Sequence, residues 1–343
     1  MQRKNHSQDH GWFSTFYLLG VLGLLLAAIP VSAAFPFVKK VTHTSTFLDT
    51  AGRADFLIYL PPGYESSEQR YSTVFYLHGS TDNAYTDTCQ AAILDRLITA
   101  KTVNPMIVVY LNVTHTGGYR DRGPGDMQES FIIQDAIPFV DKTYRTLGTA
   151  EGRAIDGFSM GAAGSLRLGL SYPKLFTALM SWDGGATSAD IAAIAEKNVA
   201  ELKGRFHVRI YSRPPTGEAV VSETLKKLGI DYTHTIVNTD HVGVLGESGP
   251  SDKRKCNDAT RVTEGWKFFS TVLAAPGQPV SIDKSKASRT IDFDKTKLAD
   301  YRFYTPAGKY LGEINSHIQL PSRGLYLVQS RKDPGQKQLR YFD

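Results

Sequence analysis

The chain has 343 residues, and its 39 lysine and arginine residues exceed its 34 aspartate and glutamate residues to give a formal charge of +5. Its 41% hydrophobic and 21% charged residues exclude a largely disordered, collagen-like or multi-span membrane protein. Two cysteines are too few for a disulfide-dense scaffold or a cysteine-rich zinc site. The small, scattered charge excess argues against a nucleic-acid partner.

The first 33 residues have the pattern of a signal peptide. Arg3 and Lys4 precede an apolar stretch over 17–29, and small residues over 30–34 offer a cleavage site before Ala34. An uncleaved anchor is the alternative, because 12–31 is nearly long enough to cross a bilayer, which takes about 20 residues. Both readings predict a secreted or cell-envelope protein.

Export changes the expectation for the two cysteines. In an oxidising compartment Cys89 and Cys256 could form a single disulfide, and two unrelated buried thiols are the alternative. The sequence leaves this choice open.

Strand-like and helix-like runs alternate from about residue 37 to residue 273, which predicts an α/β domain over 34–273 with a mostly parallel sheet flanked by helices. Short, continuous apolar runs such as Thr73–Leu77 and Met106–Leu111 are typical of strands buried on both faces. In chain order, the predicted strands are 55–60, 73–77, 106–111, 153–156, 176–181, 207–212 and 232–237, and the predicted helices are 132–144, 162–172, 218–228 and 259–273.

The last seventy residues have a different pattern. Alanine, proline and glycine make 274–290 a predicted linker, and 291–343 is predicted to be a small all-β module. Short strands at 301–304, 310–314 and 325–329 alternate there with turns that contain proline and glycine.

The strongest catalytic motif is Gly157-Phe-Ser-Met-Gly161, which follows a predicted strand and opens a predicted helix. That context is required of a nucleophile elbow, in which a sharp turn lifts the Ser159 hydroxyl above the sheet edge. The helix amides behind the serine favour developing negative charge. An ordinary turn with Ser159 as a helix cap is the alternative.

A serine nucleophile needs a base, and His241 is the candidate. It lies in the polar loop Asn238-Thr-Asp-His-Val-Gly243, just after the last predicted strand of the α/β domain. His207 and His234 lie inside predicted strands, from which a side chain cannot easily reach such a loop.

The acid that orients the base is predicted to be Glu218, which follows the strand at 207–212, the usual position of the acid. Asp183, after the preceding strand, is the alternative. A carboxylate at a helix N-terminus that merely complements the helix dipole is a third interpretation of Glu218.

Two backbone amides should form the oxyanion hole. We predict the amide of Met160, the residue after the nucleophile, and that of Ser80, in the loop after 73–77, with Thr81 as the second choice. His78 is predicted to be a packed residue that supports this loop. Trp182 and Asp183 are predicted to contact substrate, and no cluster of histidine and acidic residues has the spacing of a metal site or requires a cofactor.

Residues 40–273 resemble the putative-esterase family of α/β-hydrolases, which includes S-formylglutathione hydrolases, antigen 85 mycolyltransferases, and feruloyl and acetylxylan esterases. The resemblance is carried by the segments 59–64 (YLPPGY), 76–79 (YLHG), 137–146 (IPFVDKTYRT), 153–161 (RAIDGFSMG) and the Asp240-His241 loop. Ala162 stands where the family commonly has a further glycine. The resemblance implies a serine esterase that uses Ser159, Glu218 and His241.

The C-terminal module resembles the sorting modules of type IX-secreted bacterial proteins. The similarity rests on 303–308 (FYTPAG) and 320–328 (LPSRGLYLV). It implies secretion machinery as a partner, whereas a plain accessory or carbohydrate-binding module is the alternative.

Together these features predict a secreted serine carboxylic-ester hydrolase of the carbohydrate-esterase type, which acts on feruloyl or acetyl esters of plant polysaccharide. A polyester depolymerase, a lipase or an acyltransferase would use the same machinery. A non-catalytic glycan-binding envelope protein is the alternative from a different class.

Overall fold

The computed structural model describes residues 37–49, 54–80, 82–84, 88–113, 116–184, 188–214, 217–245 and 259–276, together with the four strand segments 301–304, 310–313, 324–330 and 337–342. Phe35–Asp343 is one compact unit by its internal contacts, and the 34 residues before it lie outside the described residues. The predicted signal peptide, residues 277–290 of the predicted linker and Cys256 lie outside them as well, so the predicted domain boundaries stay predictions.

An eight-stranded sheet forms the centre of the α/β region, with the order β1-β2-β4-β3-β5-β6-β7-β8. β1 and β2 are antiparallel to their neighbours, and every pair from β4 through β3 to β8 is parallel. The strands are β1 Val38–Val41, β2 Phe56–Tyr59, β3 Ser72–Leu77, β4 Met106–Leu111, β5 Arg153–Gly157, β6 Ala178–Trp182, β7 His207–Ser212 and β8 Asp231–Ile236.

Helices connect the strands. They are α1 Cys89–Thr99, α2 Gln128–Phe131, α3 Ile137–Thr143, α4 Met160–Ser171, α5 Ser188–Lys197, α6 Val199–Leu202, α7 Glu218–Leu228 and α8 Ala259–Val272. A π-helical turn over Ile132–Ala136 joins α2 to α3, so the single helix predicted at 132–144 has an irregular start. All described helices fall short of the length and apolar character that a membrane span requires.

Side chains of the central strands alternate between two hydrophobic clusters. In β3, Phe75 and Leu77 belong to the cluster beneath the π-helical turn and helices α4, α5 and α7, whereas Val74 and Tyr76 belong to the cluster beneath α1 and α8. The same alternation runs through β4. A strand covered on both faces needs apolar residues at every position, which is why these strands are continuous apolar runs.

The parallel arrangement determines where a site can form. The carboxyl ends of β3, β5, β6, β7 and β8 meet at one edge of the sheet, and in such sheets ligands bind in the crevice at this edge. The loops that carry Ser80, Ser159, Asp183, Arg213 and His241 follow these five strands in that order.

The C-terminal residues form a separate four-stranded antiparallel sheet with the order β10-β9-β11-β12. Its strands are β9 Tyr301–Tyr304, β10 Tyr310–Glu313, β11 Gly324–Ser330 and β12 Lys337–Phe342. The first three correspond to the predicted strands, and β12 was not predicted.

Candidate active site

Ser159 occupies a sharp turn between β5 and α4. Its backbone angles are φ 55° and ψ −114°, and non-glycine residues rarely have a positive φ. The two flanking glycines make room for this turn, since a Cβ at Gly157 would lie 2.3 Å from the carbonyl oxygen of Gly161. A Cβ at Gly161 would lie 1.9 Å from the carbonyl oxygen of Leu77, at the end of β3. The motif therefore forms the elbow that its sequence predicts.

We expect Gly161→Ala to destabilise the fold strongly. The atom that the new methyl group meets belongs to the backbone of a central strand and cannot rotate away. Overpacking a core commonly costs about 1 to 3 kcal/mol, and this variant should reach the upper end of that range. Urea denaturation measures the free energy of unfolding, with Ser171→Ala at the last turn of the same helix as the control. Equal midpoints for the two variants would contradict this account of the turn.

Ser159, His241 and Asp183 form one continuous chain of hydrogen bonds. His241 Nε2 lies 2.8 Å from Ser159 Oγ, and His241 Nδ1 lies 2.5 Å from Asp183 Oδ2. A carboxylate can only accept, so Nδ1 carries the proton towards Asp183 and Nε2 is left to accept the serine proton. The ring of His241 also packs on that of Phe158, with centroids 4.7 Å apart.

Asp183 is held by a cation as well as by the histidine. Arg213 donates to it twice, from Nε to Oδ2 at 2.6 Å and from the backbone amide to Oδ1 at 3.2 Å. Burial raises the pKa of Asp183, but the hydrogen bonds from His241 and Arg213 outweigh burial and lower the pKa below its ordinary value. Asp183 is therefore ionised when His241 needs a counter-charge. Arg213 is not among the site residues predicted from the sequence, although its place directly after β7 is a usable indication.

The lowered pKa of Asp183 predicts how stability depends on pH. The folded carboxyl has a pKa below its ordinary value of 3.8, so its stabilising contribution is complete above that value and is lost as the pH falls through the lower folded value. From about pH 5 downward, the free energy of unfolding should therefore fall more steeply in the wild type than in Asp183→Asn. Urea titrations at a series of pH values measure the two slopes, with the exposed Asp190→Asn as control. Parallel slopes for the wild type and Asp183→Asn would contradict the prediction.

The choice of Glu218 as the acid is wrong in this structure. Asp183 directly follows β6, the strand next to the one that carries Ser159, and occupies the position beside His241 Nδ1. Glu218 is separated from the end of β7 by five residues, as the buried first residue of α7, and its charge acts on His234. The alternative acid of the sequence analysis therefore takes the position, and Asp183 adopts a φ of 58° to do so.

The prediction that Trp182 contacts substrate is wrong as well. Its side chain is fully buried, stacked on Tyr211 with ring centroids 4.4 Å apart, and donates from Nε1 to Asp156. Asp183, the other predicted substrate contact, is engaged by His241 and Arg213. At the end of a strand, neighbouring side chains can point either into the core or into a cleft. The sequence alone does not show which of the two Trp182 does.

The loop after β3 has its peptides fixed by hydrogen bonds. His78 is buried, as expected, and its Nδ1 donates to the carbonyl of Gly79 at 2.7 Å, while its Nε2 accepts from the amide of Val113 at 3.4 Å. The amide of Asp82 donates to the same Gly79 carbonyl. In a trans peptide the amide of Ser80 points away from that carbonyl. The orientation of the predicted oxyanion donor is therefore set by its neighbours.

The second predicted donor is Met160, the first residue of α4. The first amides of a helix have no partner within the helix, so they suit an anionic ligand. The amide of Phe158 donates to the carbonyl of Leu77, which joins the elbow to the end of β3. Ser80 and Met160 are thus carried by adjacent segments, and their joint role in an oxyanion hole stays a prediction.

Away from Ser159, the described residues form a surface cavity but no metal site. Within the part of the chain that the structure describes, no group of three histidine, cysteine or acidic residues could hold a metal ion. A surface cavity of about 540 Å³ lies between β1, the end of β2 and α1, and its lining includes no residue of the Ser159 site.

Cys89 is disulfide-bonded, and Cys256, the only other cysteine of the chain, lies outside the described residues.

The sheet order, the strained serine at the β5–α4 turn and the histidine after β8 define an α/β-hydrolase fold. Comparison with known proteins agrees with this class: residues 49–185 match the family described as "putative esterase". This match covers about two fifths of the chain and includes Ser159 and Asp183.

Curated relatives match a stretch of the chain about as long as the one that the family model matches. Esterase Rv1288 and Esterase MT1326 of Mycobacterium tuberculosis are each 31% identical over 136 residues, which are 38% of this chain and 29% of the relative. An endo-1,4-beta-xylanase/feruloyl esterase of Xylanibacter ruminicola is 29% identical over 129 residues, 35% of this chain and 18% of the relative. The chain thus spans less than a third of the length of these relatives.

Solved structures share the fold. A ferulic acid esterase covers 69% of this chain and 98% of its own, with a TM-score of 0.55 and 18% identity. The substrate-bound fluorophosphonate-binding serine hydrolase F of Staphylococcus aureus covers 67% of this chain and 98% of its own, with a TM-score of 0.53 and 14% identity. At such low sequence identities, these similarities show a shared fold and nothing further.

Proposed function

We propose that this protein is a serine carboxylic-ester hydrolase that uses Ser159, His241 and Asp183. The observation that carries the proposal is the unbroken chain from Ser159 Oγ through the imidazole of His241 to Asp183, on an elbow that exposes the serine at the sheet edge. The family match and the esterase names of the curated relatives support it.

The mechanism follows from the direction of the hydrogen bonds. His241 Nε2 takes the proton of Ser159 as Oγ attacks the ester carbonyl, and Asp183 stabilises the imidazolium that forms. The amides of Ser80 and Met160 would hold the negative oxygen of the tetrahedral intermediate. The imidazolium then gives its proton to the leaving alcohol, which leaves the acyl group on Ser159. Water, activated by His241, releases the acid and restores the serine.

We further propose that the natural substrates are feruloyl or acetyl esters of plant polysaccharide. The xylanase/feruloyl esterase name of one curated relative supports this substrate class, although the match covers 35% of this chain. We also propose that the enzyme is exported, supported by the signal-like segment at 1–33 and by the disulfide at Cys89, because disulfides persist in oxidising compartments.

Hydrolysis of a panel of esters tests the proposal. The purified protein would be assayed with p-nitrophenyl esters of increasing chain length, methyl ferulate and acetylated xylan. We expect turnover of the short p-nitrophenyl esters, and higher activity on methyl ferulate or acetylated xylan than on any p-nitrophenyl ester. If the highest activity is on long-chain or polymeric esters, the natural substrate is a lipid or a polyester and not a carbohydrate ester. Product that retains the acyl group on an added alcohol would indicate an acyltransferase. A folded protein that hydrolyses none of them would contradict the esterase proposal and favour a glycan-binding role.

A further inference from the structure

We infer that the buried hydrogen bond between Asp156 and Trp182 positions Asp183 relative to Ser159, which makes Asp156 and Trp182 positioning residues of the proposed reaction. The inference rests on the proposed function, in which Asp183 orients His241. It explains two buried polar groups that the mechanism itself does not use, one on the strand of the nucleophile and the other directly before the acid.

Asp156 lies in β5, three residues before the nucleophile, and is completely buried. Its Oδ1 accepts two hydrogen bonds, from the amide of Gly157 at 2.7 Å and from Trp182 Nε1 at 2.9 Å. A buried polar group without a partner costs roughly 1 to 3 kcal/mol, so the carboxyl group and the indole hold each other in place.

Trp182 is the last residue of β6 and is held at three points. Its indole donates to Asp156, its ring stacks on Tyr211 at an interplanar angle of 7°, and its carbonyl accepts from the amide of Ser159 at 2.9 Å. The next amide, that of Asp183, donates to the carbonyl of Tyr211 at 2.7 Å. One residue therefore joins the strand of the nucleophile, the strand of the acid and the neighbouring β7.

This arrangement matters because the backbone of Asp183 is not in a relaxed conformation. Its φ of 58° lies in the left-handed region, which persists only where the surroundings hold it. The residue immediately before it is the one fixed by Asp156. If the indole loses its partner and shifts, the carboxylate of Asp183 shifts relative to His241, and a misplacement of about 1 Å can cost about 100-fold in rate.

Breaking this hydrogen bond from both sides tests the inference. Trp182→Phe keeps an aromatic ring to stack on Tyr211 but removes the donor, and Asp156→Ala removes the acceptor. Asp156→Asn keeps a side-chain oxygen and should rescue the effect. We expect each of the first two variants to lower kcat by about 10- to 100-fold with little change in KM, and Asp156→Asn to stay near the wild type.

Trp266→Phe is the matched control. Trp266 is also buried, and its Nε1 also donates a hydrogen bond, but it lies on α8, and its hydrogen-bond partner Gln90 and ring partner Phe269 are outside the triad. It should lose stability without the fall in kcat. Equal falls in kcat for Trp182→Phe and Trp266→Phe would overturn the inference, since general loss of packing would then explain both.

A double-mutant cycle with Asp183→Asn shows whether Trp182→Phe lowers kcat through Asp183 or through a general disturbance of the fold. If Trp182 acts through Asp183, then Trp182→Phe should cause no further fall in kcat in the Asp183→Asn background. An undiminished fall there would overturn the inference.

The Nδ1 proton of His241 gives a readout that does not require turnover. Its far-downfield proton resonance reports the bond to Asp183, and should weaken or move upfield in Trp182→Phe and Asp156→Ala but not in Asp156→Asn. An unchanged resonance in all three variants would overturn the inference. Absence of ester hydrolysis in the wild type would refute the proposed function instead, and this resonance would still decide whether the hydrogen bond positions Asp183.

Discussion

Ser159→Ala should remove ester hydrolysis almost completely, with kcat on short p-nitrophenyl esters reduced on the order of 10⁶-fold. In the proposed mechanism Ser159 Oγ accepts the acyl group and gives its proton to His241 Nε2, which lies 2.8 Å away. The loss of a triad member leaves only the smaller contribution of the oxyanion hole and of substrate binding.

The measurement is a steady-state assay at high enzyme concentration, with Ser171→Ala on the same helix as the control. Because a methyl group fits wherever the serine side chain fits, the free energy of unfolding of the variant should lie within about 1 kcal/mol of the wild-type value. Hydrolysis that persists in the folded Ser159→Ala variant would place the nucleophile elsewhere in the chain.

The second large effect distinguishes the two candidate acids. We expect Asp183→Asn to lower kcat by about 10⁴-fold, because an amide at this position no longer stabilises the imidazolium and no longer selects the productive tautomer of His241. Glu218→Gln should leave kcat within a few fold of the wild type, because Glu218 is buried beside His234 at the start of α7.

The comparison requires equal amounts of folded enzyme. Unfolding midpoints of both variants would therefore be measured first, and kcat determined well below them, since a buried glutamate can affect stability. A fall of about 10⁴-fold in Glu218→Gln and a small change in Asp183→Asn would restore Glu218 as the acid and would contradict the hydrogen-bond chain described here.

The nucleophile and the base could be placed from sequence because their positions depend on local pattern. Gly157 and Gly161 are required by the turn itself, which no larger residue can make. Among the histidines that follow Ser159 in the chain, His241 is the one in a polar loop directly after a predicted strand of the α/β domain. Both are the residues that the structure brings together.

The acid could not be placed in the same way. Asp183 and Glu218 both follow strands of the same sheet, and the choice depends on how far each loop extends before its helix begins. Five residues separate the end of β7 from Glu218, whereas Asp183 follows β6 directly. The burial of Trp182 depends on the same three-dimensional detail, since its partner Asp156 comes from another strand.

The fold was easier to predict at its centre than at its edges. β3 and β4 are continuous apolar runs because both faces are covered, and they were predicted almost to the residue. The edge strand β1 has two lysines among its four residues, and β12 mixes polar with aromatic residues, so neither has the apolar pattern of a buried strand. The resemblance of 291–343 to sorting modules stays a prediction, because the family match ends at residue 185.

The most direct test of the central claim is covalent labelling with a fluorophosphonate probe, followed by mass spectrometry of the intact protein and of its peptides. The account predicts one adduct per chain, on Ser159, that fails to form in Ser159→Ala and forms much more slowly in Asp183→Asn. A folded wild-type protein that takes no label, or that takes it on another residue, would contradict the assignment of Ser159, His241 and Asp183 as a catalytic triad.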